Sequence, residues 1–319
     1  MGAGGRRRVP AEGLEVRRVR LGFANLHVDF VDREAALMRV EEWAERGTGL
    51  PVVIYGPEGC GKTAWLRQSV ELLRERGFDV IYVSPVEKEL AVEIGLSSLR
   101  DRIVNLAREA ASQAPWGSVV WSAIDVAKEV IRLGRRRLTV IVDDAFQAIG
   151  LDKAAVYVKG LLGLIEHPPG EYEKIVAVAV TSEGLSRREI GRHLWSEISP
   201  IWNMSREGFR QLYEQIPGEK PPFEDVWRWA GGNPRILERL YAAGWSADKI
   251  ADSLVREKGV DVLAASLSEG ERELLAKAVE DPDALFTREG MPLLEKLVQL
   301  NLALDVSERK PHLWIGEPP

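Results

Sequence analysis

Cysteine is almost absent: there is one in 319 residues. A lone thiol forms no internal disulfide, so a reducing, cytoplasmic setting is expected. Methionine and histidine are down to four each, Asn and Gln are scarce, and Arg outnumbers Lys, a composition found in heat-adapted proteins. No apolar run approaches the roughly 18 residues of a membrane span, which excludes a membrane partner of that kind. The first residues, MGAGGRRRVPAEG, are basic but lead into no apolar stretch, so they do not read as a secretory signal. There is no excess of positive charge either. The formal net charge of −6 argues against wholesale wrapping of nucleic acid. Internal repeats are missing, and low complexity is confined to the first few residues.

Charge of one sign is concentrated in one place. Residues 1–22 carry Arg6, Arg7, Arg8, Arg17, Arg18 and Arg20 against only Glu12 and Glu15. We read residues 1–27 as a basic arm, either a solvated tail or a contact for nucleic acid or a protein partner.

Beyond the arm, 45% of residues are hydrophobic and 29% charged, the balance of a globular chain. The stretch 32–47, DREAALMRVEEWAERG, predicts a helix capped by Asp32, with Ala36, Val40 and Trp43 on one face. Apolar, β-branched runs at 51–56, at FDVIYVSP, at 138–144 and at 174–182 predict buried parallel strands alternating with helices, and residues 86–134 read as mostly helical. From Ser205 to about Ser253 only helical signals appear. The tail holds two more helices, then LALDV and HLWIG flanking the polar SERKP, which together suggest a winged helix-turn-helix. The expected organisation is an α/β, parallel-sheet P-loop NTPase core over 28–204, a helical lid over 205–262 and a winged-helix domain over 263–319.

The most informative stretch is Gly56-Pro57-Glu58-Gly59-Cys60-Gly61-Lys62-Thr63, with Ala64 next, between a strand and a helix. Glycines let such a loop turn its N–H groups inward around an anion, and the following helix adds its positive end. Lys62 would reach the β- and γ-phosphates of ATP or ADP, and Thr63 would offer its hydroxyl to Mg²⁺. Cys60 reads as a small residue tolerated in the loop. LTVIVDD delivers Asp143 to the strand end where parallel sheets bind ligands, as a Mg²⁺ residue. Asp144 is either the group that polarises the attacking water or a loop acid. Ser182, ending VAVTS, either senses the γ-phosphate or caps its strand.

FVDRE (30–34), the phosphate loop, VIVDD, VTSEG and GGNPR occur in an order that resembles the archaeal ATPases of the AAA+/STAND type, with the layout of origin-recognition ATPases. The resemblance covers about residues 28–319. It implies that Phe30 and Val31 lie beside the adenine and that Arg235, on the lid, approaches the phosphates as a second sensor. Read from its own residues, Arg235 sits in the first turn of a helix begun by Pro234, and a surface salt bridge is its alternative. Arg187, Arg188 and Arg192 are candidates for a finger reaching a neighbouring subunit in a nucleotide-dependent homo-oligomer; an exposed charged helix is the alternative. Asp143-Asp144 stands where the group has Asp-Glu, which bears on hydrolysis rate more than on binding.

Two function classes stay open: an ATPase switch or motor acting on DNA, and a signalling or defence switch acting through protein contacts with little turnover. The ten Trp residues read mainly as core. Residues 291–319 carry Lys296, Arg309 and Lys310 against Glu295, Asp305, Glu308 and Glu317. That tail would gain little from DNA, and its apolar Leu302, Leu304, Trp314 and Ile315 would pack on the core or on a partner.

Overall fold

The computed structural model describes residues 16–93, 115–134, 137–182, 184–304, 306, 310–316 and 318. Its centre is a six-stranded sheet in the order β5-β4-β6-β7-β3-β8. The strands are β3 (Val52–Tyr55), β4 (Asp79–Ser84), β5 (Glu89–Glu93), β6 (Arg137–Asp143), β7 (Lys174–Thr181) and β8 (Glu197–Pro200). All neighbours run parallel except β5, which is antiparallel to β4. The four strands expected from their apolar runs are the four inner ones. They are buried along nearly their whole length, because helices cover both faces.

One face is covered by α1 (Glu34–Arg46) and α2 (Lys62–Glu75), whose Leu37, Val40, Leu66 and Leu73 pack on Ile54 and Val178. The other is covered by α3 (Trp116–Arg132), the short α4 (Phe146–Ile149) and α5 (Ala154–Glu166), with Ile124, Tyr157 and Leu161 against Val140 and Ala177. A seven-residue α6 (Gly184–Ile190) follows β7.

The lid consists of α7 (Arg206–Glu214), α8 (Phe223–Ala230), α9 (Pro234–Ala242) and α10 (Ala247–Glu257). Phe209, Phe223, Val226 and Leu237 form its own core. Three further helices close the chain: α11 (Val260–Ser266), α12 (Glu269–Glu280) and α13 (Met291–Gln299), around Leu263, Leu285 and Leu293. The helix α12 begins with a capping box between Ser268 and Glu271.

Four expectations need correction. The basic arm does not extend to residue 27. β1 (Arg20–Phe23) and β2 (Leu26–Asp29) pair as an antiparallel hairpin, and its Phe23 and Val28 belong to the lid core. Upstream, the Gln68 side chain accepts from Val19 N at 2.9 Å and donates to Arg17 O at 2.9 Å, fixing that segment to α2. Arg18 and Arg20 are already paired, with Glu34 and Asp29. Arg6, Arg7 and Arg8 lie outside the described residues.

Asp32 does not cap α1, whose N-cap is Arg33 in the left-handed region (φ 71°). The Asp32 carboxylate instead accepts from the backbone N–H and the hydroxyl of Ser205, both at 3.0 Å. Within 86–134, residues 89–93 form a strand and only α3 is helical among the described residues; 94–114 lie outside them. Finally, no terminal hairpin is present among the described residues. Leu302 and Leu304 carry no strand, Pro311–Leu313 form a 3-10 turn, and Asp305 and 307–309 lie outside the described residues. Trp314 and Ile315 are nevertheless buried: Ile315 N donates to Pro200 O at 2.9 Å, and Trp314 packs edge-on against Trp202.

Candidate functional site

The strand β3 ends at the sheet's carboxyl edge and releases Gly56–Gly61 into a tight loop before α2 begins at Lys62. Gly61 is the N-cap of α2 with φ 95°, and Gly59 has φ 77°; both conformations are open to glycine and strained for other residues. The first N–H groups of α2 therefore face the loop's interior without helical partners. Lys62 is buried, and its ammonium donates to Gly56 O at 2.9 Å and Pro57 O at 2.8 Å. A cation and the positive end of a helix thus share one small concavity, the arrangement that takes a phosphate.

Beneath it lies a pair of oxygens. Thr63 Oγ1 donates to Asp143 Oδ2 at 2.7 Å, and the Tyr82 hydroxyl donates to the same oxygen at 3.0 Å. The other oxygen, Asp143 Oδ1, is buried and has no hydrogen-bond partner among the described residues. Burial pushes the Asp143 carboxyl up to about 6; the hydrogen bond from Thr63 opposes this and the neighbouring Asp144 charge adds to it. An unpartnered buried carboxylate oxygen beside a hydroxyl is a hard-oxygen site suited to Mg²⁺. Among the described residues no cluster of three or more His, Cys, Asp or Glu is available to cage a metal. Two protein oxygens fit an ion whose remaining ligands are phosphate and water.

Asp144 stands in the left-handed region (φ 50°), which turns its side chain toward β7. Ser182 donates to both of its oxygens, from the backbone N–H at 3.0 Å and from the hydroxyl at 2.9 Å. The two residues expected to act separately on water and phosphate are thus brought together.

The lid docks directly on the loop. Asn233 caps α9, accepting from Arg235 N and Ile236 N, while its amide donates to Glu58 O at 2.9 Å. Arg235 N also approaches Gly59 O at 3.3 Å. A Cβ on Gly59 would lie 2.5 Å from Arg235 Cβ and 2.8 Å from Asn233 Oδ1, so the lid sits in van der Waals contact with the glycine backbone. The Arg235 guanidinium lines the cleft but is paired with Glu238 at 2.7 Å. Glu58 carries a second tie, from Lys258 Nζ at 2.7 Å and Asn301 Nδ2 at 3.3 Å.

Together these elements enclose a cleft of about 560 Å³. Its lining has an apolar set, Leu21, Phe23, Val28, Phe30, Val31, Met204 and Leu212, and a polar set that includes Lys62, Thr63, Asp143, Asp144 and Ser182, with Ala64, Glu58, Gly59, Cys60, Gly61 and Arg235. Pro57 does not line it; its carbonyl serves Lys62. Of the finger candidates, Arg187 lies over the Tyr55 ring at 5.0 Å, and Arg192 is 69% exposed and paired with Glu189.

Several contributors escape sequence reasoning. Arg33 is buried and donates to Cys60 O at 2.6 Å and Asn203 O at 3.4 Å, bridging the loop and the connection from β8 to α7; desolvation lowers its pKa. No helical or strand pattern marks it. Asn233 carried a signal, as a cap residue before a proline. Tyr82, Arg67 and Glu87 looked like ordinary strand, helix and turn residues.

The comparisons with known proteins follow this geometry. No curated protein matches the chain. Among solved structures, the Orc1 protein of Aeropyrum pernix in complex with DNA aligns at 17% identity with a TM-score of 0.44, over 80% of this chain and 73% of that one. A replication initiator DnaA bound to AMPPCP and single-stranded DNA gives 17% and 0.40, over 79% and 69%. AMPPCP-bound DnaA from Aquifex aeolicus gives 17% and 0.36, over 82% and 75%. The family model of an ATPase domain predominantly from Archaea matches residues 30–240, which runs from the cleft's Phe30 through the phosphate loop, Asp143 and Ser182 to the lid helix behind Arg235. With well over half of its length matched, the chain belongs to this archaeal ATPase family.

Proposed function

We propose that the chain is a nucleotide-driven switch that binds ATP with Mg²⁺ in this cleft, hydrolyses it slowly as a monomer, and passes the nucleotide state to a DNA or protein partner. The observation that carries the reading is the unpartnered Asp143 Oδ1 beside Thr63, directly below the Lys62 cradle. In this reading the apolar lining of the cleft takes the adenine, beside Phe30 and Val31. Lys62 and the loop N–H groups hold the phosphates, and Thr63 and Asp143 hold the metal. Mg²⁺ would supply charge neutralisation on the phosphoryl group. Every other contribution belongs to the chain: the lid excludes water, Asn233 fixes lid to loop, Arg33 fixes the loop to the connection after β8, and Arg235 is poised at the rim to leave Glu238 for phosphate.

Slow turnover follows from the arginines. Arg235 is engaged with Glu238, and Arg187 with Tyr55. A finger supplied by another subunit is worth on the order of 10³-fold or more. Specific activity is therefore expected to rise with protein concentration as a nucleotide-dependent homo-oligomer forms.

Equilibrium binding of a fluorescent ATP analogue tests the core of the proposal. Lys62→Ala should abolish Mg²⁺-dependent binding; an unchanged dissociation constant would remove the reading. Between partner classes, Trp314 and Ile315 are buried against the chain's own Trp202 and Pro200, and the tail carries three cations against four anions, which leaves residues 1–15 as the segment suited to DNA.

A further inference from the structure

Six carboxylates line the cleft: Asp29, Glu58, Glu87, Asp143, Asp144 and Glu238. Five are committed. Asp29 faces Arg20 on the hairpin, and Glu238 holds Arg235 together with Ala24 N. Glu58 is tied to Lys258 and Asn301. Asp143 belongs to Thr63, Tyr82 and the metal position, and both oxygens of Asp144 accept from Ser182. The sixth, Glu87, is set apart by its place in the fold rather than by a free oxygen alone, since Glu58 Oε1 also has no partner among the described residues. Glu87 Oε2 accepts from Arg67 at 2.6 Å, while Oε1 has no partner among the described residues.

Its backbone position is well defined. In the parallel pairing of β4 with β6, Val83 stands opposite Val142, so Ser84 lies level with Asp143 at the strand ends. The turn 85–88 follows at once. It is closed at its base by the antiparallel pair Ser84 and Glu89, and braced by Lys88 N to Pro85 O at 3.2 Å and Glu87 N to Ser84 Oγ at 3.4 Å. Glu87 therefore stands three residues beyond the level of Asp143, in the turn that follows the neighbouring strand, and lines the same cleft as Lys62 and Thr63.

We propose that Glu87, rather than Asp144, is the general base of ATP hydrolysis in this chain. The assignment rests on the ATPase reading above. A lone pair on the attacking water forms the new O–P bond to the γ-phosphorus. The bond from that phosphorus to the β,γ-bridging oxygen breaks, and its electron pair leaves on ADP. The water's proton passes to Glu87 Oε1 and then to solvent, giving ADP, inorganic phosphate and a proton. Asp144, closed by Ser182, sets the position of the strand end.

Single-turnover hydrolysis, alongside binding of a non-hydrolysable ATP analogue, tests this on the full chain. Glu87→Gln should lower the rate constant by about 10²- to 10³-fold and leave analogue affinity within about threefold of the parent. Glu89→Gln is the control: Glu89 also accepts from Arg67 at 2.6 Å but does not line the cleft, so its rate should stay within about twofold. An undiminished rate in Glu87→Gln overturns the assignment. So does an equal loss in both variants, which would place the effect in the Arg67 salt bridge. A parent chain that neither binds nor hydrolyses ATP would overturn the ATPase reading itself. A parent that hydrolyses, with Glu87→Gln at its side equally fast, overturns the assignment alone.

Discussion

Ser182 closes both oxygens of the Asp144 carboxylate, one with its backbone N–H at 3.0 Å and one with its hydroxyl at 2.9 Å. The consequence for stability is asymmetric. Ser182→Ala deletes one hydrogen bond and should cost about 1 kcal/mol in urea unfolding. Asp144→Ala also strands the Ser182 N–H in a half-buried position, and should cost about 2 kcal/mol. Equal losses in the two variants would mean that the N–H bond contributes nothing.

The Asp143 carboxyl gives the nucleotide-free protein a pH dependence of definite sign. Its folded-state value, about 6, lies above the ordinary 3.8, with burial the largest cause. Its contribution to stability is therefore fully present below pH ~4 and lost as pH rises through about 6. Asp143→Asn removes that loss. At pH 7.5, without metal or nucleotide, the variant should melt higher than the parent by an amount equivalent to roughly 1–3 kcal/mol. The two should converge near pH 4. Thermal melts across that range check it, and a gap that widens toward low pH contradicts it.

Arg33 spans the loop carbonyl of Cys60 and the carbonyl of Asn203, in the connection from β8 to α7. Arg33→Ala leaves the Cys60 oxygen without this donor and should cost about 2 kcal/mol of stability. Arg33→Lys should recover only part of it, because a single ammonium does not reproduce the guanidinium fork. The measurement is a chemical melt of each variant; full recovery by lysine would show that charge alone matters.

Residues 1–15 hold Arg6, Arg7 and Arg8, whereas Arg18 and Arg20 are engaged with Glu34 and Asp29. Duplex DNA affinity measured against salt should therefore lose up to about three units of its log–log slope when residues 1–15 are deleted. Arg18→Ala should leave the slope nearly unchanged. Loss of slope in Arg18→Ala and none in the deletion would reverse this assignment.

The inner sheet was legible because β3, β4, β6 and β7 are continuous β-branched runs, which burial on both faces demands. Its edges were not. Glu89–Glu93 and Glu197–Pro200 are short and carry charge, since only one flank of each is paired. β1 and β2 hid beside a stretch rich in Arg because Arg20, at the start of β1, answers Asp29 across the hairpin. The phosphate loop, Thr63 and Asp143 were legible from spacing and flanking elements. The bridging roles of Arg33 and Asn233 were not, because the distance from residue 33 to residue 203, and from 58 to 233, is closed only by tertiary folding. The pairing of Asp144 with Ser182 likewise depends on β6 and β7 being neighbours, which no local pattern states.

Gly59 is constrained from two directions at once. Its φ of 77° serves the loop, and its missing side chain makes room for Asn233 and Arg235 of the lid. A substitution there strains the backbone and, in the same step, wedges the lid about an ångström off its seat. Activity lost in a Gly59 variant is therefore ambiguous as a measure of phosphate binding. The same coincidence makes the position a built-in gauge of closure: a spectroscopic label on α9 would read the loop's conformation without touching the loop.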